Sequence, residues 1–335
     1  MSLRLSCLAL ALSTAALPAL ADEINIYSQR QPELIQPLID AYTAETGDTI
    51  NIAYVANGMA ERLQAEGARS PADLVLTVDI ARLQQIVDAG VVQPVDSAVL
   101  QANIPAEMRD SQNRWFGITA RARIVYASKD RVAPGEVTTY EALADPKWKG
   151  RICTRSGTAD YNIALVAAMI VHHDEAYARE WATALKANLA RKPEGKDKDQ
   201  VKAIAAGECD IALGNTYYIG QMLTSDADRA AAETIRVDFP VFENGGSHLN
   251  VSGVALTQAA PNKEAAIRFM EWLSSDEAQR IYAEKNFEFP VKPGVPKSEL
   301  VASWGDFTVD SVALSDVAAA RPAALKLMEE IDFDG

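Results

Sequence analysis

Residues 208–224 read E-C-D-I-A-L-G-N-T-Y-Y-I-G-Q-M-L-T. Residues 209–213 are small or apolar and carry no helix-length face, so they predict a short buried strand. Gly214 and Asn215 follow as a turn signal. Residues 219–223 can then open a helix. Tyr217 and Tyr218 sit between the two. Adjacent side chains on a strand point to opposite faces, but in a turn or first helical turn they lie about 100° apart. Both hydroxyls can then reach one point, and that point could be a metal.

The rest of the chain places this unit in an α/β fold. Residues 23–28 (E-I-N-I-Y-S) alternate as a strand. Leu34, Ile35, Leu38, Ile39 and Tyr42 mark a helix face ending at Gly47. Pro37 lies inside that run, so the helix either starts near it or kinks there. A strand over 49–54, a weak helix over 59–68 and an apolar strand over 72–78 follow. Asp79 caps a helix that ends at Gly90. This β-α-β-α-β-α series is the pattern of a doubly wound lobe. Residues 115–128 (W-F-G-I-T-A-R-A-R-I-V-Y-A-S) read as long extended chain, a hinge candidate between two lobes. A strand over 151–154 leads into a helical stretch over 161–190. Strands over 235–239 and 250–256, a long helix over 265–283 and a last helix over 320–331 complete the series.

The first 21 residues read as a secretory leader: Arg4 at the start, an apolar run, and Ala19-Leu20-Ala21 as a cleavage signal. Cys7 belongs to that leader. No later apolar run approaches the roughly 18 residues that a spanning helix needs, so the expected product is exported and not membrane-spanning. A chain of 335 residues suggests two lobes. Its formal charge of −14 makes nucleic acid a poor partner. Cys153 and Cys209 remain after cleavage, and a lone pair in an oxidising compartment is usually a disulfide; two buried thiols are the alternative.

Catalytic chemistry has little to work with. There is no G-x-S-x-G elbow, no phosphate loop and no zinc-like Cys/His spacing. The histidines are His172, His173 and His248, and the adjacent pair reads as packing. What remains is oxygen. Tyr161 follows one cysteine-bearing strand, and Tyr217 and Tyr218 follow the other. If Cys153 and Cys209 bridge, the three tyrosines converge at strand ends, where α/β lobes place ligands. Phenolate is a hard anionic donor that suits a hard, highly charged cation, and ferric iron is the common ion of that kind. A Tyr-Tyr pair taken alone is more often packing with one hydrogen bond. Three phenolates would leave a six-coordinate ion half filled. Arg30 and Gln31, with Arg121 or Arg123, could hold a carbonate-like anion there; the plain alternative for any one arginine is a surface ion pair.

Several segments together resemble one family. They are I-Y-S-Q-R-Q-P-E-L-I (26–35), S-P-A-D-L-V-L-T-V-D (70–79), W-F-G-I-T-A-R-A-R (115–123), C-T-R-S-G with Y-N-I-A-L (153–157, 161–165), G-E-C-D-I-A-L-G-N-T-Y-Y (207–218), N-V-S-G-V-A-L (250–256) and A-P-N-K-E-A-A-I (260–267). The chain is similar to the periplasmic ferric-iron-binding proteins of bacterial ABC importers. That resemblance implies a type II periplasmic binding protein: two lobes, each a mainly parallel sheet flanked by helices, with the ligand cleft between them. It implies ferric iron held by Tyr161, Tyr217 and Tyr218. Relatives often carry a histidine and a tyrosine where this chain has Gln31 and Pro32. The departure favours three tyrosines completed by carbonate or bicarbonate, with Arg30, Gln31 and Arg121 as the anion-binding residues. The family's histidine-plus-glutamate ligand scheme finds no match.

The expectation is therefore a binding protein and not an enzyme, a monomer that delivers iron to an inner-membrane ABC permease and its ATPase. The expected division is a leader over 1–21, a first lobe over 22–120 plus 247–298, and a second over 121–246 plus 299–335. Alternatives from other classes are the same fold binding a polyamine or an oxyanion, a ferric-tyrosinate oxygenase, and a protein that stores or senses iron.

Overall fold

The computed structural model describes residues 21–335. The expected leader, apart from Ala21, lies outside the described residues, as do Cys7 and most of the cleavage signal. The nine strands are β1 (Glu23–Ser28), β2 (Thr49–Tyr54), β3 (Leu74–Thr77), β4 (Val92–Gln93), β5 (Phe116–Ser128), β6 (Ile152–Cys153), β7 (Ile211–Asn215), β8 (Ile235–Asp238) and β9 (Leu249–Thr257). They form one path in the order β2-β1-β3-β9-β5-β7-β6, with β4 on β9 and β8 on β5. The α/β class read from the sequence holds.

Parallel ladders lie on the two outer parts of this path. β1 pairs parallel with β2 and β3, and β6 pairs parallel with β7. Two long strands cross between those parts and add antiparallel ladders at the centre. β5 pairs β9 over Phe116–Ala122, then β7 and β8 over the rest of its length. Every residue of β5 and β9 is buried. A strand covered on both faces reads as a continuous apolar run, and here, short of the terminal Ser128 and Thr257, the run is broken only by Thr119, Arg121, Arg123, Asn250 and Ser252. Of these, Arg121, Arg123 and Ser252 belong to the site, while Thr119 donates to the Phe289 carbonyl and Asn250 to the Asp79 carboxylate.

The side chains pack into two buried clusters. One gathers Ile24, Ile26, Leu74, Leu76, Leu83, Phe116 and Val254. The other gathers Val125, Trp148, Ile163, Val166, Ile211, Leu213 and Leu327. Cys153 and Cys209 form a disulfide with a Cα–Cα separation of 5.8 Å, so β6 is tied to the chain entering β7.

Several boundaries differ from the sequence reading, each for a local reason. Residues 161–190 form two helices, Asp160–His172 and Glu175–Ala187, because the Asp174 carboxylate caps the second by accepting the Tyr177 N–H. The helix expected over 265–283 is also two, Lys263–Leu273 and Asp276–Asn286, with Ser275 capping the second. The first helix, Pro32–Thr46, begins before Pro37 and carries it in its interior. The last spans Leu314–Glu330 and begins well before residue 320. Gly214 is in β7 and not in a turn. A Cβ there would lie 2.0 Å from the Tyr126 ring, so the glycine marks a close approach inside the sheet.

Candidate metal centre

Tyr217 and Tyr218 occupy the first turn of the helix Thr216–Leu223, directly after β7. Their rings lie 4.1 Å apart at 36°. Tyr161 is the second residue of the helix Asp160–His172, which follows β6. Its hydroxyl is 3.4 Å from that of Tyr217. The disulfide therefore joins the two strands whose carboxyl ends lead to the three tyrosines.

A polar scaffold fixes these starting turns. Asn162 donates to the Thr154 hydroxyl and to the carbonyls of Arg155 and Ser156, each at 3.0 Å, while its own oxygen accepts from Arg123 at 2.6 Å. Asn215 stands at the N-cap of the Tyr217 helix, but its side chain does not cap; its oxygen accepts from Arg123 at 3.2 Å. Fully buried Asp197 receives Arg123 at 2.8 Å, Arg155 at 2.6 Å and the Asn215 N–H at 3.2 Å. Arg123 is thus consumed by the scaffold. Its guanidinium and those of Arg121 and Arg155 lie 5.5 to 6.0 Å from the Tyr161 ring centre.

Facing the tyrosines is a cavity of about 70 Å³ whose lining includes Arg30, Gln31, Arg121, Tyr161, Tyr217 and Ser252. Tyr218 packs at a tilt against Tyr217 and does not line it. The structure separates the two arginines that the sequence left equivalent. Arg30 is paired with buried Glu288, donates to the Ser252 hydroxyl at 2.9 Å and lies over the Tyr282 ring. Burial opposes its charge, but Glu288 beside it raises its pKa. Arg121 is only 1% exposed, and its one hydrogen bond is Nη1 to the Ser252 hydroxyl at 2.9 Å. Its Nε and Nη2 have no partner. A buried guanidinium without a counter-ion costs several kcal/mol in a low-dielectric site, so an anion beside it is the natural complement.

Counted together, Arg30, Arg121, Arg123 and Arg155 meet only two buried carboxylates, Asp197 and Glu288. The excess positive charge surrounds three phenols. Burial, with Tyr161 and Tyr218 beside it, raises the Tyr217 pKa well above the usual phenol value, and Arg121 opposes this. Burial and Asp197 raise that of Tyr218. Without a cargo the pair is therefore protonated. A trivalent cation is the kind of group that inverts that preference.

Ser252, Glu288 and Asp197 were not singled out in the sequence. Ser252 lies within the quoted N-V-S-G-V-A-L element and Glu288 in none, and the two reach Arg30 across 222 and 258 residues. Asn162 and Asn215 were within the quoted Y-N and N-T-Y-Y elements, where an amide beside each tyrosine was the available signal. His172 and His173 stay outside the site, 2.8 Å from Asp310 and Glu141. Among the described residues no group of three or more His, Cys, Asp or Glu side chains is placed to hold a metal.

The chain is similar to known proteins along most of its length. Residues 27–280 match the family model described as "Bacterial extracellular solute-binding protein". Iron uptake protein A1 of Synechocystis sp. is 44% identical over 316 residues, covering 93% of this chain and 88% of that protein. A solved structure titled apo ferric ion-binding protein A of Pasteurella haemolytica is 47% identical, covers 94% of this chain and 99% of its own, and superposes with a TM-score of 0.91. A Trichodesmium structure described as in complex with iron and citrate is 41% identical, covers 93% of this chain and 99% of its own, and has a TM-score of 0.87. With a family match over most of the chain and relatives this similar at nearly full length, the chain belongs to the bacterial extracellular solute-binding proteins, a family that captures solutes for transport and is not enzymatic.

Proposed function

We propose that this protein captures ferric iron with Tyr161, Tyr217 and Tyr218 and holds a small anion against Arg121. The observation that carries the reading is the 3.4 Å approach of the Tyr161 and Tyr217 hydroxyls beside a buried guanidinium with two unpaired nitrogens. Phenolates supply hard, negative oxygen to a hard trivalent ion. The relatives named for ferric iron and iron uptake support this cargo. A cavity of about 70 Å³ has room for an ion and a few water-sized groups. That favours carbonate or bicarbonate over a larger anion such as the citrate of the Trichodesmium structure. Gln31 lines the same space and can donate to the anion; Arg30, neutralised by Glu288, contributes less. A polyamine is disfavoured, because the lining carries two arginines against the single carboxylate of Glu288.

The protein acts in the periplasm once a leader is removed near Ala21, as a monomer that passes iron to an inner-membrane ABC permease and its ATPase. No helix among the described residues is long and apolar enough to cross a membrane. The two parallel parts of the sheet, β1 to β3 and β6 with β7, joined through β5 and β9, support two lobes, over 22–120 with 247–298 and over 121–246 with 299–335. Hinge motion near residues 120 and 247, where β5 and β9 cross, would close them on the cargo.

Ferric phenolates absorb visible light by charge transfer. Adding ferric citrate to the purified protein in bicarbonate buffer is expected to give an orange to red solution, and Tyr217→Phe to lose most of that colour. Loss of affinity in that variant should exceed the roughly 10- to 100-fold typical of an outer-shell partner. A colourless mixture, or full colour in Tyr217→Phe, would overturn the assignment. Arg121→Gln is expected to make binding insensitive to removal of bicarbonate; retained sensitivity would move the anion elsewhere.

A further inference from the structure

Asp160 precedes Tyr161 and is the first residue of its helix, yet its carboxylate caps nothing in that helix. One oxygen receives Arg82 through Nε at 3.0 Å and Nη2 at 2.7 Å. The other receives Arg321 Nη2 at 2.6 Å. The three residues come from three helices. Arg82 lies on Ile80–Asp88, whose Ile80, Leu83, Ile86 and Val87 pack in the cluster built on β1 and β3. Asp160 lies on the helix whose Ile163, Leu165 and Val166 pack in the other cluster, with β7. Arg321 lies on Leu314–Glu330, whose Val317, Ala324 and Leu327 belong to that same second cluster. The pair Arg82–Asp160 therefore spans the two clusters, while Arg321–Asp160 stays mostly within one.

We infer that Arg82 and Asp160 form a latch across the cleft, primed by Arg321, which keeps the lobes closed and positions Tyr161 on its cargo. The inference rests on the proposed tyrosine site. Arg321 holds the carboxylate oriented whether or not the lobes meet, which lowers the ordering cost of the second ion pair. Arg82 is itself preset: its Nη1 donates to the Ala56 carbonyl at 3.1 Å and its Nη2 reaches Asn57 at 3.4 Å. When the lobes part about the β5 and β9 crossings, Arg82–Asp160 must break together with the packing of the helix Leu314–Glu330 on the helix Ile80–Asp88. A contact made only in the closed state shifts the population toward that state. It slows release of the cargo without touching it, so Asp160 and Arg82 are positioning residues and not ligands. At 19% and 24% side-chain exposure the pair is screened, so the latch is weak and salt-sensitive.

The test is Arg82→Gln, with Arg82→Lys as the charge-keeping control. The iron-loaded full chain is chased with excess EDTA, and the visible band is followed at low and high salt. The band position should be unchanged in both variants. Release from Arg82→Gln should be roughly two- to fivefold faster at low salt, the worth of a partly exposed ion pair. The difference should vanish at high salt, and Arg82→Lys should recover part of it. Equal release from wild type and Arg82→Gln at low salt, or a shifted band, overturns the latch. If no coloured complex forms even in the wild type, the cargo assignment fails and solution scattering of the iron-free chain decides. The latch then predicts a larger radius of gyration for Arg82→Gln, and an unchanged radius overturns it.

Discussion

Two of this protein's cavities differ in size by more than tenfold, and the smaller is the one to which we assign the chemistry. The tyrosine cavity measures about 70 Å³. The other measures about 900 Å³, and its lining includes Met108, Trp115, His248, Asp310, Leu314 and Val317. Apart from exposed Glu107, its carboxylates are already matched: Asp110 to Arg114 and the backbone, Asp310 to His172 and the Gly246 N–H. Apart from half-exposed Arg109, its unpaired buried atoms are the ring nitrogens of Trp115 and His248. The small cavity instead has a whole buried guanidinium with two unpaired donors. Volume reports shape, whereas uncompensated charge reports what is missing. Both cavities also hold a titratable group that burial drives toward its neutral form. The direction is upward for the acid Tyr217 and downward for the base His248.

The largest effect expected outside the ligands themselves concerns the staple beneath the small cavity. The large cavity has no covalent tie of its own in the described residues. Replacing Cys153 and Cys209 together by serine removes a cross-link between positions 56 residues apart. The chain-entropy model puts the loss near 4 kcal/mol of folding stability. Denaturant unfolding should show it as a lower midpoint. Ferric colour should survive with weaker affinity, since the phenols remain but their two strands are no longer tied. Undiminished affinity in the serine pair would mean that Asn162, Asn215 and Asp197 hold the tyrosines without help from the disulfide.

Much of this contrast was legible in the sequence, and its limits are physical. β1 and β3 were readable from local pattern, and so was the placement of Tyr217 and Tyr218 after a strand. The cysteine pairing followed from having two cysteines left. The sequence offers Arg121 as an anion holder but hides its difference from Arg30. That difference depends on Glu288, 258 residues beyond Arg30, and long-range ion pairs leave no periodic trace. The same holds for Asp197, which sits at the start of an ordinary charged helix and is nevertheless fully buried. The broken helices at Asp174 and Ser275 were missed because capping side chains override a run of good helix formers. Gly214 misled for a related reason: the space it vacates is filled by Tyr126, far away in sequence.

His248 offers the next largest effect, on the large-cavity side. Burial lowers its pKa to about 4; Asp310 opposes that shift, while Arg123, Arg121 and His172 reinforce it. The unfolded chain takes up a proton near the ordinary value of 6.5, and the folded chain does not until about pH 4. Protonation in that interval favours the unfolded chain. Stability is therefore fully present above pH 6.5, falls as pH drops toward 4, and levels off below. The loss is on the order of 3 kcal/mol. His248→Asn should fall less over the same interval in denaturant unfolding at a series of pH values. Parallel curves for the two proteins would show that His248 is protonated as easily in the folded chain as in the unfolded one.

The smallest effect is expected where the comparison predicts none. Ser311 is exposed at the rim of the large cavity. Ser311→Trp adds bulk to a void of about 900 Å³ and should stay within about 0.5 kcal/mol in stability, the usual range for a surface position. Ferric affinity should stay within about twofold, because the site's charge and the Arg82–Asp160 pair are untouched. The walls of this cavity come from residues 84–115 on one side and 309–317 on the other, with His248 and Leu249 between them. On the proposed lobe division these walls belong to different lobes. If they approach each other as the tyrosine cleft opens, the added indole would act as a wedge and hold the cleft shut. Affinity measured by competition with EDTA would then rise well beyond twofold. That outcome would make the large cavity a mechanical part of iron retention, and the contrast between an active small cavity and a passive large one would no longer hold.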